Sequence, residues 1–180
     1  MKVLIIFFLF IILFAAGAYA DNGMLALFTD SNASDCDVNI GLYEDKSIQL
    51  FYVRGDGPIM GDLCNFRLRL STQGAAFLSP TWSQRVIASS GDLVSGMTLV
   101  FHGCLGEVTK HVGDYAYIGT IPVFCLSDTD TFSVSVVGNP NTSPSGLLVK
   151  TCESDSFISV NGGTFVFNGC LLYTSDAADE

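Results

Sequence analysis

Apolar and polar residues alternate with a period of two along most of this chain, and the helical period hardly occurs, so strands are the expected elements. In residues 47–54, Ile48, Leu50 and Tyr52 fall on one face while Phe51 and Val53 fall on the other, the pattern of a strand covered on both sides. Residues 63–70 place Cys64, Phe66, Leu68 and Leu70 inward and Asn65, Arg67 and Arg69 outward, as in a sheet with one wet face. Residues 131–137 repeat that arrangement, with Phe132, Val134 and Val136 facing a core. Further strands are expected at 24–28, 84–88, 97–102, 115–126, 147–150, 157–160 and 164–167. Pro122 cannot donate to a ladder, which predicts a bulge or an edge position there.

Turn residues separate these segments: Gly55-Asp56-Gly57-Pro58, Ser89-Ser90-Gly91-Asp92, Gly138-Asn139-Pro140-Asn141 and Asn161-Gly162-Gly163. The last predicts a tight hairpin between 157–160 and 164–167. Residues 73–82 are the one place where a short helical turn is expected. About ten short strands at this spacing predict an all-β fold, an antiparallel two-sheet sandwich of jelly-roll type.

Both termini are read apart from that domain. Lys2 followed by the apolar run 4–16 and by Ala18-Tyr19-Ala20 has the form of a signal peptide helix cleaved after residue 20. That run is shorter than the roughly 20 apolar residues that span a bilayer, so a retained membrane anchor is not expected. Secretion to the cell exterior or the periplasm follows. Residues 170–180, Cys-Leu-Leu-Tyr-Thr-Ser-Asp-Ala-Ala-Asp-Glu, match the translation of a transposase-type sequencing adapter. They are read as an artefact of a bacterial metagenomic assembly in which the natural chain is truncated near Gly169. Residues 21–169 remain as a single domain, carrying seven Lys plus Arg and fifteen Asp plus Glu. Within a net charge of −10 for all 180 residues, no basic cluster exists to meet phosphates, so nucleic acid is not an expected partner.

Within residues 86–123 a strand, a Gly-Asp loop, the strand Gly96-Met97-Thr98-Leu99-Val100-Phe101 and the segment Ile118-Gly119-Thr120-Ile121-Pro122-Val123 follow in order. That order resembles the cohesin-like and carbohydrate-binding sandwich families. Ile40-Gly41-Leu42-Tyr43 is similar to openings that precede sandwich strands in secreted proteins of environmental bacteria. The resemblance implies a module for adhesion, assembly or glycan contact that brings no catalytic residues, and a protein or glycan surface as its partner.

Candidate chemistry changes this picture little. Cys36, Cys64, Cys104, Cys125 and Cys152 belong to the natural chain, and Cys170 falls within the adapter match. Export and the lack of a Cys-x-x-Cys pair favour structural disulfides over zinc or redox work. Cys104 with Cys125, at the ends of successive strands, is the first expected pair, and Cys36 with Cys64 is the second. Asp30, Asn32, Ser34, Asp35 and Asp37 crowd oxygen ligands into one loop and leave a calcium site as an alternative to a solvated turn. The EF-hand spacing fails there, with Asp35 where Gly is needed and Gly41 where Glu should bind. No other cofactor is expected.

His102 and His111 lack a nucleophile elbow or a His-Glu-x-x-His motif around them, so catalysis is not expected. A carboxylate pair drawn from Glu44, Glu107 and Glu153 keeps a small secreted hydrolase as the runner-up. A structural envelope component is the third reading. Trp82, Tyr115 and Tyr117 are the candidate ligand-binding residues, either as an aromatic platform or as core, and Tyr115 and Tyr117 share one strand face. Arg54-Gly55-Asp56, Asn32-Ala33-Ser34 and Asn141-Thr142-Ser143 match short recognition and glycosylation motifs by coincidence.

Overall fold

A computed structural model of the protein describes residues 22–30, 38–54, 63–103, 115–127, 131–152 and 156–168. The expected signal helix and the adapter match lie outside them. Among the described residues there are thirteen strands and no helix, and they form two sheets. The six-stranded sheet runs β12 (Asn161–Gly162), β1 (Met24–Phe28), β2 (Asp45–Val53), β8 (Tyr115–Cys125) and β4 (Ala75–Phe77), with β5 (Thr81–Trp82) also on β8. The seven-stranded sheet runs β11 (Phe157–Ser159), β10 (Leu148–Thr151), β3 (Leu63–Thr72), β7 (Gly96–Phe101) and β6 (Val86–Asp92). β9 (Phe132–Val137) pairs the far end of β3, and β13 (Thr164–Phe167) pairs β9.

Alternation drives the two sheets together. Ile48, Leu50 and Tyr52 of β2 and Ile118, Ile121 and Val123 of β8 are buried in one cluster with Phe66, Leu68, Leu70 and Leu99 of the other sheet. The Tyr52 ring meets Phe66 across the sandwich with centroids 5.9 Å apart, and Phe132 stacks on Phe167 at 4.5 Å. Each such side chain taken from water contributes roughly 1.5–3 kcal/mol, which is why a pattern of period two suffices to choose the inner faces.

Pro122 sits inside β8 without a bulge. In a strand the N–H and C=O of a residue point the same way, and the Pro122 carbonyl accepts from the Leu78 N–H at 2.9 Å. Leu78 lies in the gap between β4 and β5, so the missing donor falls where the neighbouring strand is interrupted. The β-bulge lies elsewhere on β8: Leu50 pairs Gly119 and Phe51 pairs Tyr117, which leaves Ile118 as the extra residue.

Four expectations fail locally. Residues 73–82 form β4 and β5 in place of a helical turn. Ser89-Ser90-Gly91-Asp92 continues β6, and the chain turns at 93–95. No hairpin joins β11 and β13: β11 pairs β10, β13 pairs β9, and β12 between them crosses to pair β1 in parallel. Among the described strands that pair is the one parallel pairing in an otherwise antiparallel sandwich. Cys64 does not occupy an inward position, because the β10–β3 register shifts at Lys150/Thr151 and buries Leu63 instead.

The crossing at β12 brings the sheets into backbone contact. A Cβ on Gly162 would overlap the carbonyl oxygen of Val136 in β9, so no side chain fits there. The 93–95 turn is tied by Asp92, whose Oδ1 accepts from the N–H groups of Val94 and Ser95 at 2.9 and 2.7 Å. Its Oδ2 accepts from the Ser95 hydroxyl at 2.5 Å. The Ser95 hydroxyl first, then the two backbone donors, hold the exposed Asp92 carboxyl below its ordinary value.

Two outcomes are expected. Gly162→Ala lowers stability by more than about 2 kcal/mol through overpacking against backbone, read from the midpoint of denaturant unfolding. Because the Asp92 pKa is depressed on folding, its support of the turn is full above the unfolded value and is lost as pH falls through the folded one. Ser95→Ala should therefore raise the Asp92 titration midpoint, followed by carboxyl NMR, toward that of an unpaired aspartate.

Candidate interaction surface

Each sheet has an outer face, and the two differ in chemistry. On the six-stranded sheet, Tyr115, Tyr117, Pro122, Phe124 and Leu126 project outward along β8 and its continuation, between buried Ala116, Ile121, Val123 and Cys125. Phe28 of β1 and Phe51 of β2 flank one end of this row. Phe51 is only 3% exposed although it points away from the core. Its cover is aromatic: Phe28 meets it edge-on at 5.7 Å, Tyr117 at 5.6 Å, and Phe28 also contacts Tyr115 at 6.1 Å. The Tyr117 and Thr120 hydroxyls are 2.7 Å apart, which fixes the Tyr117 ring at the surface.

At the other end of the row stands Tyr43, 69% exposed, with its ring 6.5 Å from that of Phe124. Its backbone is left-handed, with φ of 62°, a conformation that costs a bulky L-residue about 1–2 kcal/mol. The turn that imposes it is closed on every side. Tyr43 N–H donates to the Cys125 carbonyl at 3.0 Å, Cys125 N–H to the Glu44 carbonyl at 2.9 Å, and Glu44 N–H to the Gly41 carbonyl at 3.1 Å. The Glu44 carboxylate accepts from Gly41 N–H at 3.0 Å. Leu42, Leu78 and Leu126 are exposed around it. The exposed ring and the exposed leucines together form an apolar patch.

The outer face of the seven-stranded sheet is polar and largely occupied by its own chain. The Arg67 guanidinium lies 3.7 Å from the Phe157 ring centroid and donates to the carbonyls of Ser143 and Pro144 at 3.0 and 3.2 Å. Arg69 Nε donates to the Gly138 carbonyl at 3.2 Å. Residues 139–146 are tied over this face by buried Asn139, whose Nδ2 donates to the Met97 carbonyl, and by Asn141, whose Nδ2 donates to that of Ser95.

Tyr115 and Tyr117 share the outer face of β8, and each meets a neighbouring phenylalanine edge-on, Tyr115 with Phe28 and Tyr117 with Phe51. Trp82 is separate from them: it is half-buried and packs against the core, its ring so near Gly119 that a Cβ there would come within 2.5 Å. Tyr43, Phe124 and Leu126 were not singled out from sequence. The available signal was the apolar run across Pro122, with outward as well as inward positions filled by large side chains.

Neither expected disulfide forms. Cys64 and Cys125 are free thiols. Cys125 ends β8, remote from Tyr115 by about 33 Å of strand, and its buried Sγ contacts the Ser127 carbonyl at 3.2 Å. Cys64 Sγ contacts the Thr151 carbonyl at 3.6 Å. Cys152 is disulfide-bonded, and its partner is not among the described residues. Cys36 and Cys104 lie outside those residues, as do Asn32, Ser34, Asp35 and Asp37 of the candidate calcium loop, His111, Glu107 and Glu153. Asp30 lies just after β1, and His102 is exposed after β7. Among the described residues no three His, Cys, Asp or Glu side chains gather as a metal site, and no helix is long and apolar enough to cross a membrane.

No family model matches the chain, and no curated protein is significantly similar to it. Solved structures are similar in fold. A cohesin module from a family 33 glycoside hydrolase of Clostridium perfringens superposes with a TM-score of 0.55 at 8% identity, covering 82% of this chain and 98% of the module. The sixth cohesin of Acetivibrio cellulolyticus scaffoldin B, solved in complex with a Cel5 dockerin, gives 0.49 at 9% identity over 82% and 98% of the two chains. A type II cohesin domain from the cellulosome of Acetivibrio cellulolyticus gives 0.47 at 12% over 83% and 95%. At these identities the likeness is one of fold, and the chain is a cohesin-like β-sandwich.

Proposed function

We propose that the protein is a non-catalytic module of the cell exterior that assembles or adheres by docking another protein on the outer face of its six-stranded sheet. The apolar row of Tyr117, Phe124 and Leu126 with Tyr43 and Leu78 beside it carries this reading. Those side chains leave water only if something covers them, and the opposite outer face is already engaged by residues 139–146. Mixed aromatic and leucine surface is what the centre of a protein interface uses. The Cohesin-like fold and the leader-like residues 1–20 support the extracellular setting.

A photo-crosslinking residue placed at Tyr117 or Leu126 should yield a discrete protein adduct in the source cells, and one placed at Ser133 on the other sheet should not. Equal labelling from both faces would remove the assignment. Tyr43→Gly should stabilise the isolated protein by about 1 kcal/mol by relieving the left-handed strain, while weakening the complex about tenfold or more as an aromatic anchor is lost. Unfolding midpoints and titration of the crosslinked partner read the two effects separately.

A further inference from the structure

Among the strands at sheet edges, β6 is the longest, with seven residues against two to four for β4, β5, β11, β12 and β13. It pairs β7 on one side, and no described strand lies on the other. Its residues from Ile87 to Asp92 are all exposed. Exposed edges are ordinarily blunted by charge, proline or a bulge. Between Val86 and Gly91 this strand has no charged residue and no proline, and its one register shift lies at Ile87, leaving Ala88 to Asp92 in unbroken pairing.

We propose that β6 is a strand-addition site for a second copy of this chain, joining two seven-stranded sheets edge to edge in a two-fold antiparallel pairing. The strand is complementary to itself. Arg85 immediately precedes it and Asp92 ends it, so antiparallel pairing centred on Ser89, with the bulged Ile87 unpaired, lays the Arg85 of each copy opposite the Asp92 of the other. With the bulged Ile87 left out of the ladder, Ala88 then faces Ser90 and Val86 faces Gly91, and the small residues among them leave the backbones free to approach. The pairing lies on the seven-stranded sheet and leaves the aromatic row of the six-stranded sheet open, so a dimer presents two docking faces. An interface of one strand per copy is small, which makes the dimer weak and concentration-dependent.

The test is sedimentation of the full chain, expressed with its leader so that the cell processes it, up to about 1 mM, with hydrogen exchange of the β6 amides at high and low concentration. The expected result is a reversible dimer and added protection confined to residues 87–92. Ser89→Lys, which sets like charges against each other at the two-fold, should raise the dissociation constant about tenfold or more, and Arg85→Glu should raise it severalfold. Ser133→Lys on the remote β9 should leave it unchanged. A wild-type chain that stays monomeric throughout, β6 amides indifferent to concentration, or a Ser89→Lys chain that dimerises as well as wild type would overturn the proposal.

Discussion

The fold depends on removing two inner sheet faces from water at once. β2 and β8 pair over nine and eleven residues and supply Ile48, Leu50, Tyr52, Ile118, Ile121 and Val123 to one side of the core. Phe66, Leu68, Leu70 and Leu99 answer from the other. Neither sheet is stable alone with such a face exposed, so the strands, their registers and the loops that cross between sheets form together. The crossing at Gly162 shows how closely the layers approach, since backbone there meets the carbonyl of Val136.

Packing of that kind leaves each sheet a second face to dispose of, and the protein treats them differently. The seven-stranded sheet carries Arg67 and Arg69, which donate to carbonyls of the 138–144 segment, with the Phe157 ring against the Arg67 guanidinium. That face is thereby largely covered by the protein's own chain. On the six-stranded sheet the aromatic residues shield one another only in part. Phe51 is covered, Tyr117 half covered, and Tyr43 is held in the open by a turn whose hydrogen bonds outweigh the cost of its left-handed backbone.

Sulfur has a smaller part at the described positions than export would suggest. Cys125 behaves as a small core residue at the end of β8, and Cys64 occupies the bulge that interrupts β3. Disulfide engagement is confined to Cys152 among the described cysteines.

Much of the architecture was legible in the alternation itself. Phe66, Leu68 and Leu70 against Arg67 and Arg69, or Phe132, Val134 and Val136 against Ser133 and Ser135, assign inner and outer faces without further help, because neighbouring side chains in a strand must point opposite ways. Tyr115 and Tyr117 were placed on one face by the same rule. What the chain alone could not decide is which strands become neighbours. Asn161-Gly162-Gly163 has the residues of a hairpin, yet tertiary packing sends Asn161 and Gly162 across to β1, since Gly162 is also the residue small enough to pass Val136. Pro122 looked like a break until the gap between β4 and β5 supplied a place for its missing donor. The exposed row from Tyr43 to Tyr117 likewise exists only once β8 has been set beside the Gly41 to Glu44 turn, because burial is a property of what covers a residue and not of the residue itself.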